Sequence, residues 1–303
     1  MALDPDRIDA GFYCDLRQHY SDEEIVELGA FIGFNIGYHT FFGTLKFYPM
    51  FAPDGRLVNQ EESARIYGAV PVSLGTHSAT VVKSSEDIGA PRHPEGADPG
   101  LGASPGARLS AESRDPDNSE TLRAPAFAGA TKPLQLNDVH DAELKALIER
   151  GEVLGVPDRI FSLILARAPE HAKAVLRAML LSHAEGNVEH KLKEVVRVRL
   201  ARMAGDPYFA ALRSTRARRA GLDEVTIEAG AGRTSDESRF SAAEKWALRY
   251  ARELYLNPEN VDAAFYAEGK KHYSEAQIME LGAFIALHYG MQVFARTLAI
   301  ASD

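Results

Sequence analysis

One segment of this chain occurs twice. Residues 8–45 read IDAGFYCDLRQHYSDEEIVELGAFIGFNIGYHTFFGTL, and residues 261–298 read VDAAFYAEGKKHYSEAQIMELGAFIALHYGMQVFARTL. At constant offset the copies share Asp9/Asp262, Phe12-Tyr13/Phe265-Tyr266, His19-Tyr20-Ser21/His272-Tyr273-Ser274, the run Glu27–Ile32/Glu280–Ile285, Gly37/Gly290 and Phe41/Phe294. Solenoid repeats follow one another at short period, and these two copies do not. They read instead as the closing helices of one domain type, present at the end of the chain and again at its start. Almost nothing precedes the first copy, so we expect one complete domain carrying the tail of a second.

Each copy is apolar on more than one side. Ile25, Leu28, Ile32 and Ile36, like Ile278, Leu281, Ile285 and Tyr289, form one stripe; Phe31, Phe34 and Tyr38, like Phe284 and Leu287, form another. A helix of this kind belongs in a core or an oligomer interface, which predicts a homo-oligomer. Gly29, Gly37, Gly282 and Gly290 then mark close approaches between helices, at a cost of roughly 1 kcal/mol each against alanine.

Length and charge set outer limits. At 303 residues, 45% hydrophobic and 25% charged, the chain has room for two ordinary domains with real cores. Its net charge of −9 gives nucleic acid or an anionic membrane no general electrostatic attraction. The basic run Arg213–Arg219 is the local exception, and its spacing suits a solvated helix face. Cys14 is the only cysteine, which excludes an internal disulfide, a Cys-x-x-Cys pair and a cysteine-based zinc site. The start of the chain lacks a signal-peptide core, and no 18 residues run apolar without interruption. The expectation is a cytoplasmic protein.

Residues 84–133 are dense in Gly, Pro, Ala, Ser and Asp and nearly free of large apolar side chains, the composition of a disordered linker. The expected organisation is a partial repeat with its tail over 1–83, the linker over 84–133, and a complete domain over 134–303. Within that domain the sequence predicts helices over Asp141–Arg150, Pro157–Ala166 and Pro169–Ala184. A helix to Ala204 follows, capped by Asn187 and stopped by Gly205, then one from Asp206-Pro207 to Gly221. Ser241-Ala-Ala-Glu244 and Ser274-Glu-Ala-Gln277 are capping boxes for two more, and Ser21-Asp-Glu-Glu24 repeats the second box in the N-terminal copy. No stretch alternates with period two for long enough to make a strand. The predicted fold class is all-α.

The stretch HKLKEVVRVRLARMAGDPYFAALRSTRARRAGL (190–222) resembles the core motif of the carboxymuconolactone decarboxylase and alkylhydroperoxidase D-like superfamily. The upstream LKALIERGEVLGVPDRIFSLILARAPEHAKAVLRAML and the downstream FSAAEKWALRYARELY and ELGAFIALHYG segments carry the same resemblance. It covers 134–303 throughout and 8–75 as a partial second copy, and it implies an alkylhydroperoxidase D-like helical bundle. The peroxidase branch of that family uses a glutamate, then Cys-x-x-Cys, then a histidine: a thiolate attacks peroxide, a second thiol resolves the sulfenic acid, and Glu and His move protons. On this sequence the glutamate falls on Glu194, the cysteines on Asp206 and Phe209, and the histidine on Arg213. Three of four positions are lost, so the family's thiol peroxidase mechanism is excluded, and Cys14 has no second thiol to resolve it.

What remains is a candidate acid–base set, Glu194, Arg213 and His288. Glu194 reads either as an exposed first-turn carboxylate paired with Lys191 or Arg197, or as a buried acid/base paired with Arg213. Arg213 is suited to hold a carboxylate substrate. His288, with Gln292, sits on the apolar helix either as a satisfied core residue or as the lining of a ligand cavity, and Asp206 reads as an N-cap. His183 and His190 share no helix face with a carboxylate at metal spacing, so neither a metal nor a cofactor is expected. Two functions follow. One is a carboxymuconolactone decarboxylase-like lyase acting on a small carboxylated lactone or related acid. The other is a non-catalytic helical oligomer, or small-molecule-binding scaffold, arising from a gene fusion.

Overall fold

The computed structural model of the chain describes residues 1, 7–45, 52–67, 133–232 and 237–300, and every regular element among them is helical. The expected linker lies almost wholly outside the described residues. The first copy folds as α1 (Ala10–Leu16) and α2 (Asp22–Thr44), followed by α3 (Gln60–Tyr67). The second region begins with α4 (Ala142–Leu154), α5 (Arg159–Leu165), α6 (Pro169–Ala184) and α7 (His190–Ala204). Short helices α8 (Pro207–Ala211), α9 (Thr215–Arg219) and α10 (Glu224–Ala231) come next. Then follow α11 (Ala242–Leu256) and the second copy, α12 (Ala263–Gly269) and α13 (Glu275–Thr297).

The caps act as the sequence requires. Ser21 and Glu24, Ser241 and Glu244, and Ser274 and Gln277 each form a reciprocal box that satisfies two orphan amides at a helix start. Asp9 caps α1 through the Phe12 amide, and Asp262 caps α12 through the Phe265 amide. Gly155 and Gly205 end α4 and α7 in the left-handed conformation.

Two expectations fail for reasons that matter to the site. Asn187 does not cap α7; its amide and that of Val188 donate to the Glu280 carboxylate on α13, at 2.7 and 3.1 Å. The helix expected from Pro207 to Gly221 is broken between α8 and α9. Arg197 takes the Phe209 and Leu212 carbonyls, both at 2.6 Å, and Ser214 starts a new helix by accepting from the Ala217 amide. Those carbonyls are thereby drawn to the guanidinium rather than along one continuous helix.

α13 packs against α6, α7 and, most extensively, α2. It is long and apolar enough to cross a bilayer, yet it is mostly buried as a core helix. The α2–α13 contact obeys an internal two-fold relation. A Cβ on Gly29 would run into the Phe294 ring, and a Cβ on its counterpart Gly282 would run into Phe41, the counterpart of Phe294. Gly290 presses on the Gly33 carbonyl, and Gly37 presses on the Ala286 carbonyl. Tyr13 Oη meets Thr297 Oγ1 at 2.9 Å, and Tyr266 Oη meets Thr44 Oγ1 at 2.7 Å. This is the pattern of an isologous interface, in which each contact is made twice, formed here within one chain.

The contact stripe on α2 is therefore Gly29, Gly33, Gly37 and Phe41. Phe31 and Phe34, from the second apolar stripe, point away and are 62% and 41% exposed. Residues four apart line one side of a helix, so a glycine stripe at that spacing turns the phenylalanines outward.

Candidate functional site

α7 is buried almost from end to end, and it carries charge into the interior. Lys193, Glu194, Arg197 and Arg199 are all buried. Ions in such a place are strongly unfavourable unless paired and hydrogen-bonded, and each has partners. Lys193 Nζ donates to the Ser182 and Glu185 carbonyls at 2.8 and 2.6 Å, closing the end of α6, and lies 2.5 Å from Glu280 Oε1. Arg199 donates to the Gly230 carbonyl at 3.1 Å.

Glu194 is the best-satisfied member. Arg197 grips it with two parallel bonds, Nε to Oε2 and Nη2 to Oε1, both 2.9 Å. The Ser214 amide donates to Oε1 at 2.8 Å, and His183 Nε2 stands 3.0 Å from Oε2. Burial alone would raise its pKa, but the Arg197 charge and these donors hold the carboxyl well below the ordinary range. Beside it, burial holds the His183 imidazole neutral, its pKa down to about 4, and lowers that of His288 as well. The rings of His183, His190 and His288 gather next to Phe284. His190 bridges the His183 carbonyl and Ser214 Oγ at 2.8 and 2.7 Å. The Nδ1 atoms of His183 and His288, and Gln292 Oε1, have no hydrogen-bond partner. Gln292 Nε2 donates to the Arg197 carbonyl at 3.1 Å.

Of the three residues singled out from sequence, the fold brings two together. Glu194 and His288 flank His183 in one sealed cluster. Arg213 is not with them: its guanidinium pairs with Glu224 at 3.0 Å and donates to the Ala210 and Leu212 carbonyls. Of the two readings of Glu194, the burial belongs to one and the partner to the other: the residue is buried, but it pairs with Arg197, because the break before Ser214 directs Arg213 toward Glu224 on α10. Cys14 is exposed on α1.

Asp206 was legible only as an N-cap, and it is one: Oδ1 accepts from the Tyr208 amide at 3.1 Å. Its other oxygen, Oδ2, is buried without a partner. The residue is 2% exposed, and burial pushes its pKa up to about 7. It lines an open groove of about 830 Å³ together with Arg199, Arg202, Pro207, Glu228 and Arg252. The arginines and a carboxyl whose pKa is raised by burial give this groove the means to hold an anion and to move a proton. Among the described residues, no three His, Cys, Asp or Glu side chains stand together as a metal site.

No protein-family model and no curated protein matches this chain. Solved structures do. The debrominase Bmp8 in its apo form matches with a TM-score of 0.50 and 20% identity over 57% of this chain and 91% of that one. The same debrominase in complex with 2,3,4-tribromopyrrole matches with a TM-score of 0.48 and 21% identity, over 60% and 91%. The chain has a Bmp8-like helical fold. At this identity the likeness concerns the fold alone.

Proposed function

We propose that this protein is a carboxymuconolactone decarboxylase-like enzyme that works by proton transfer without a thiol, on a small carboxylated lactone or related acid. The observation that carries the reading is Asp206. It stands where thiol-using relatives have their first cysteine, it is buried with one oxygen free, and it lines a groove that also holds three arginines. A carboxylate held by those guanidinium groups leaves as carbon dioxide when its carbon–carbon bond breaks. The electron pair passes into the conjugated lactone carbonyl, and the neutral Asp206 carboxyl supplies the proton that quenches it. Asp206 then regains a proton from water, which a pKa of about 7 favours at neutral pH.

Glu194 and Arg197 act here as positioning residues. Arg197, fixed by Glu194, holds the Phe209 and Leu212 carbonyls and so sets the turn that Asp206 opens. Asp206→Asn keeps the cap acceptor and removes the proton; we expect kcat to fall by about 10²-fold or more, with KM little changed. Undiminished turnover in that variant would sink the assignment. The saturation of Glu194 by Arg197, Ser214 and His183 favours a second reading, a binding scaffold without catalysis. Carboxylate binding with no carbon dioxide release from any lactone acid would support it instead.

A further inference from the structure

An apolar groove of about 420 Å³ runs between α1 and α2, lined by Phe12, Leu16, Leu28, Ile32 and Ile36 among others. The repeat shows what such a groove holds. In the second copy the matching groove, between α12 and α13, is filled by α11. Trp246 and Tyr250 stand against Phe265, with ring centroids 5.1 and 5.7 Å apart. Arg249 lies over the same ring, 5.0 Å from its centroid, and pairs with Glu268. Phe265, Leu281 and Ile285 are buried there, whereas their counterparts Phe12 and Leu28 are exposed and Ile32 is half-buried. Among the described residues no helix takes the place of α11 against α1 and α2. A charge is left over as well. Asp15, the counterpart of Glu268, is exposed; its carboxylate accepts from Gln18 at 3.5 Å and enters no ion pair among the described residues.

We infer that the α1–α2 groove binds an amphipathic helix of a partner protein, one that presents two apolar side chains four residues apart and a cation just before the second. Side chains at that spacing share one helix face, and such a face laid in an apolar groove supplies the affinity. The cation facing Asp15 sets the register, as Arg249 does against Glu268. The guest differs from α11 at one place. A Cβ on Gly269 would strike the Trp246 ring, and the first copy has Leu16 at that position, so the first anchor must be smaller than tryptophan. A second copy of this chain is a poor donor, because withdrawing its α11 would expose Trp246, Tyr250 and Leu254, all buried. The groove lies on elements that carry none of the proposed chemistry, so its occupancy does not depend on turnover at Asp206.

The probe is a dye-labelled peptide of residues 241–257 carrying Trp246→Leu, titrated with the full-length chain and followed by fluorescence anisotropy. We expect saturable binding that Asp15→Arg and Leu28→Lys each weaken about tenfold, while Lys191→Gln, outside the groove, leaves it unchanged. A peptide that also carries Arg249→Glu should bind the parent about tenfold more weakly and regain its affinity with Asp15→Arg. Asp15 and Leu28 both reach solvent, so circular dichroism of the variants should show the parent's helicity. No saturable binding, parent-like affinity in both groove variants, or no recovery on charge exchange overturns the proposal. So do two reassignments of the groove. Dimers of the full-length chain that the peptide dissociates in sedimentation would give it to a second copy, and binding that appears only after deletion of residues 84–132 would give it to this chain's own segment.

Discussion

The two copies of the repeated helix differ far more in surroundings than in sequence. Leu281, Phe284, Leu287 and Ala295 on α13 are buried, whereas their counterparts Leu28, Phe31, Phe34 and Phe42 on α2 are 41%, 62%, 41% and 46% exposed. Both helices use the same glycine-and-phenylalanine stripe to meet each other, so that face is equivalent in the two. The opposite face is not, because α13 packs extensively on α6 and α7, which α2 meets far less. Burial is thus conferred by neighbours, and an apolar pattern alone cannot say which face finds them. The chemistry follows the same division. Glu194, Arg197 and Asp206 belong to elements that the first copy lacks, so the candidate site exists once, and α1–α2 act as a structural partner to α13.

Paired substitutions sharpen this contrast. Phe284→Ala should cost about 3–5 kcal/mol in urea unfolding, since it empties a packed interior beside His183 and His288. The matching Phe31→Ala should change stability by less than about 0.5 kcal/mol, as an exposed site does. Similar losses from the two would erase the distinction between the faces. The equivalent face predicts the opposite pattern with smaller numbers. Thr44→Val and Thr297→Val each remove one of two mirrored hydroxyls and should cost about 1 kcal/mol apiece, nearly equally. A large inequality would break the two-fold relation.

Much of the fold was legible because helix signals are local. The capping boxes at Ser21, Ser241 and Ser274 need only a serine and an acceptor three residues on, and all three form. The site was less legible because its pairings are not local. Sequence offers Glu194 three cationic partners, Lys191, Arg197 and Arg213. Which one wins depends on the break between α8 and α9, which Arg197 itself helps to create by taking two carbonyls. His183 reaches Glu194 only through the packing of α6 on α7, and nothing in the spacing marks it. For Asp206 the sequence shows the cap oxygen; that the second oxygen is buried and free is a property of the packing around it. Phe31 and Phe284 occupy matching positions in nearly identical segments, and only the neighbouring helices tell them apart.

The central claim is that Asp206 is a carboxyl able to hold a proton near neutrality. Burial raises its pKa from 3.8 to about 7. Between those values the folded chain keeps a proton that the unfolded chain has released, so this group's contribution to stability falls as pH rises across the window and levels off above it. The direct measurement is the carboxyl carbon resonance of Asp206, followed by NMR from pH 3 to 9 and assigned by its disappearance in Asp206→Asn. The account predicts a midpoint close to 7. A midpoint near the ordinary aspartate value would mean that Asp206 is an ionised helix cap, and the proton-transfer role would have to be abandoned.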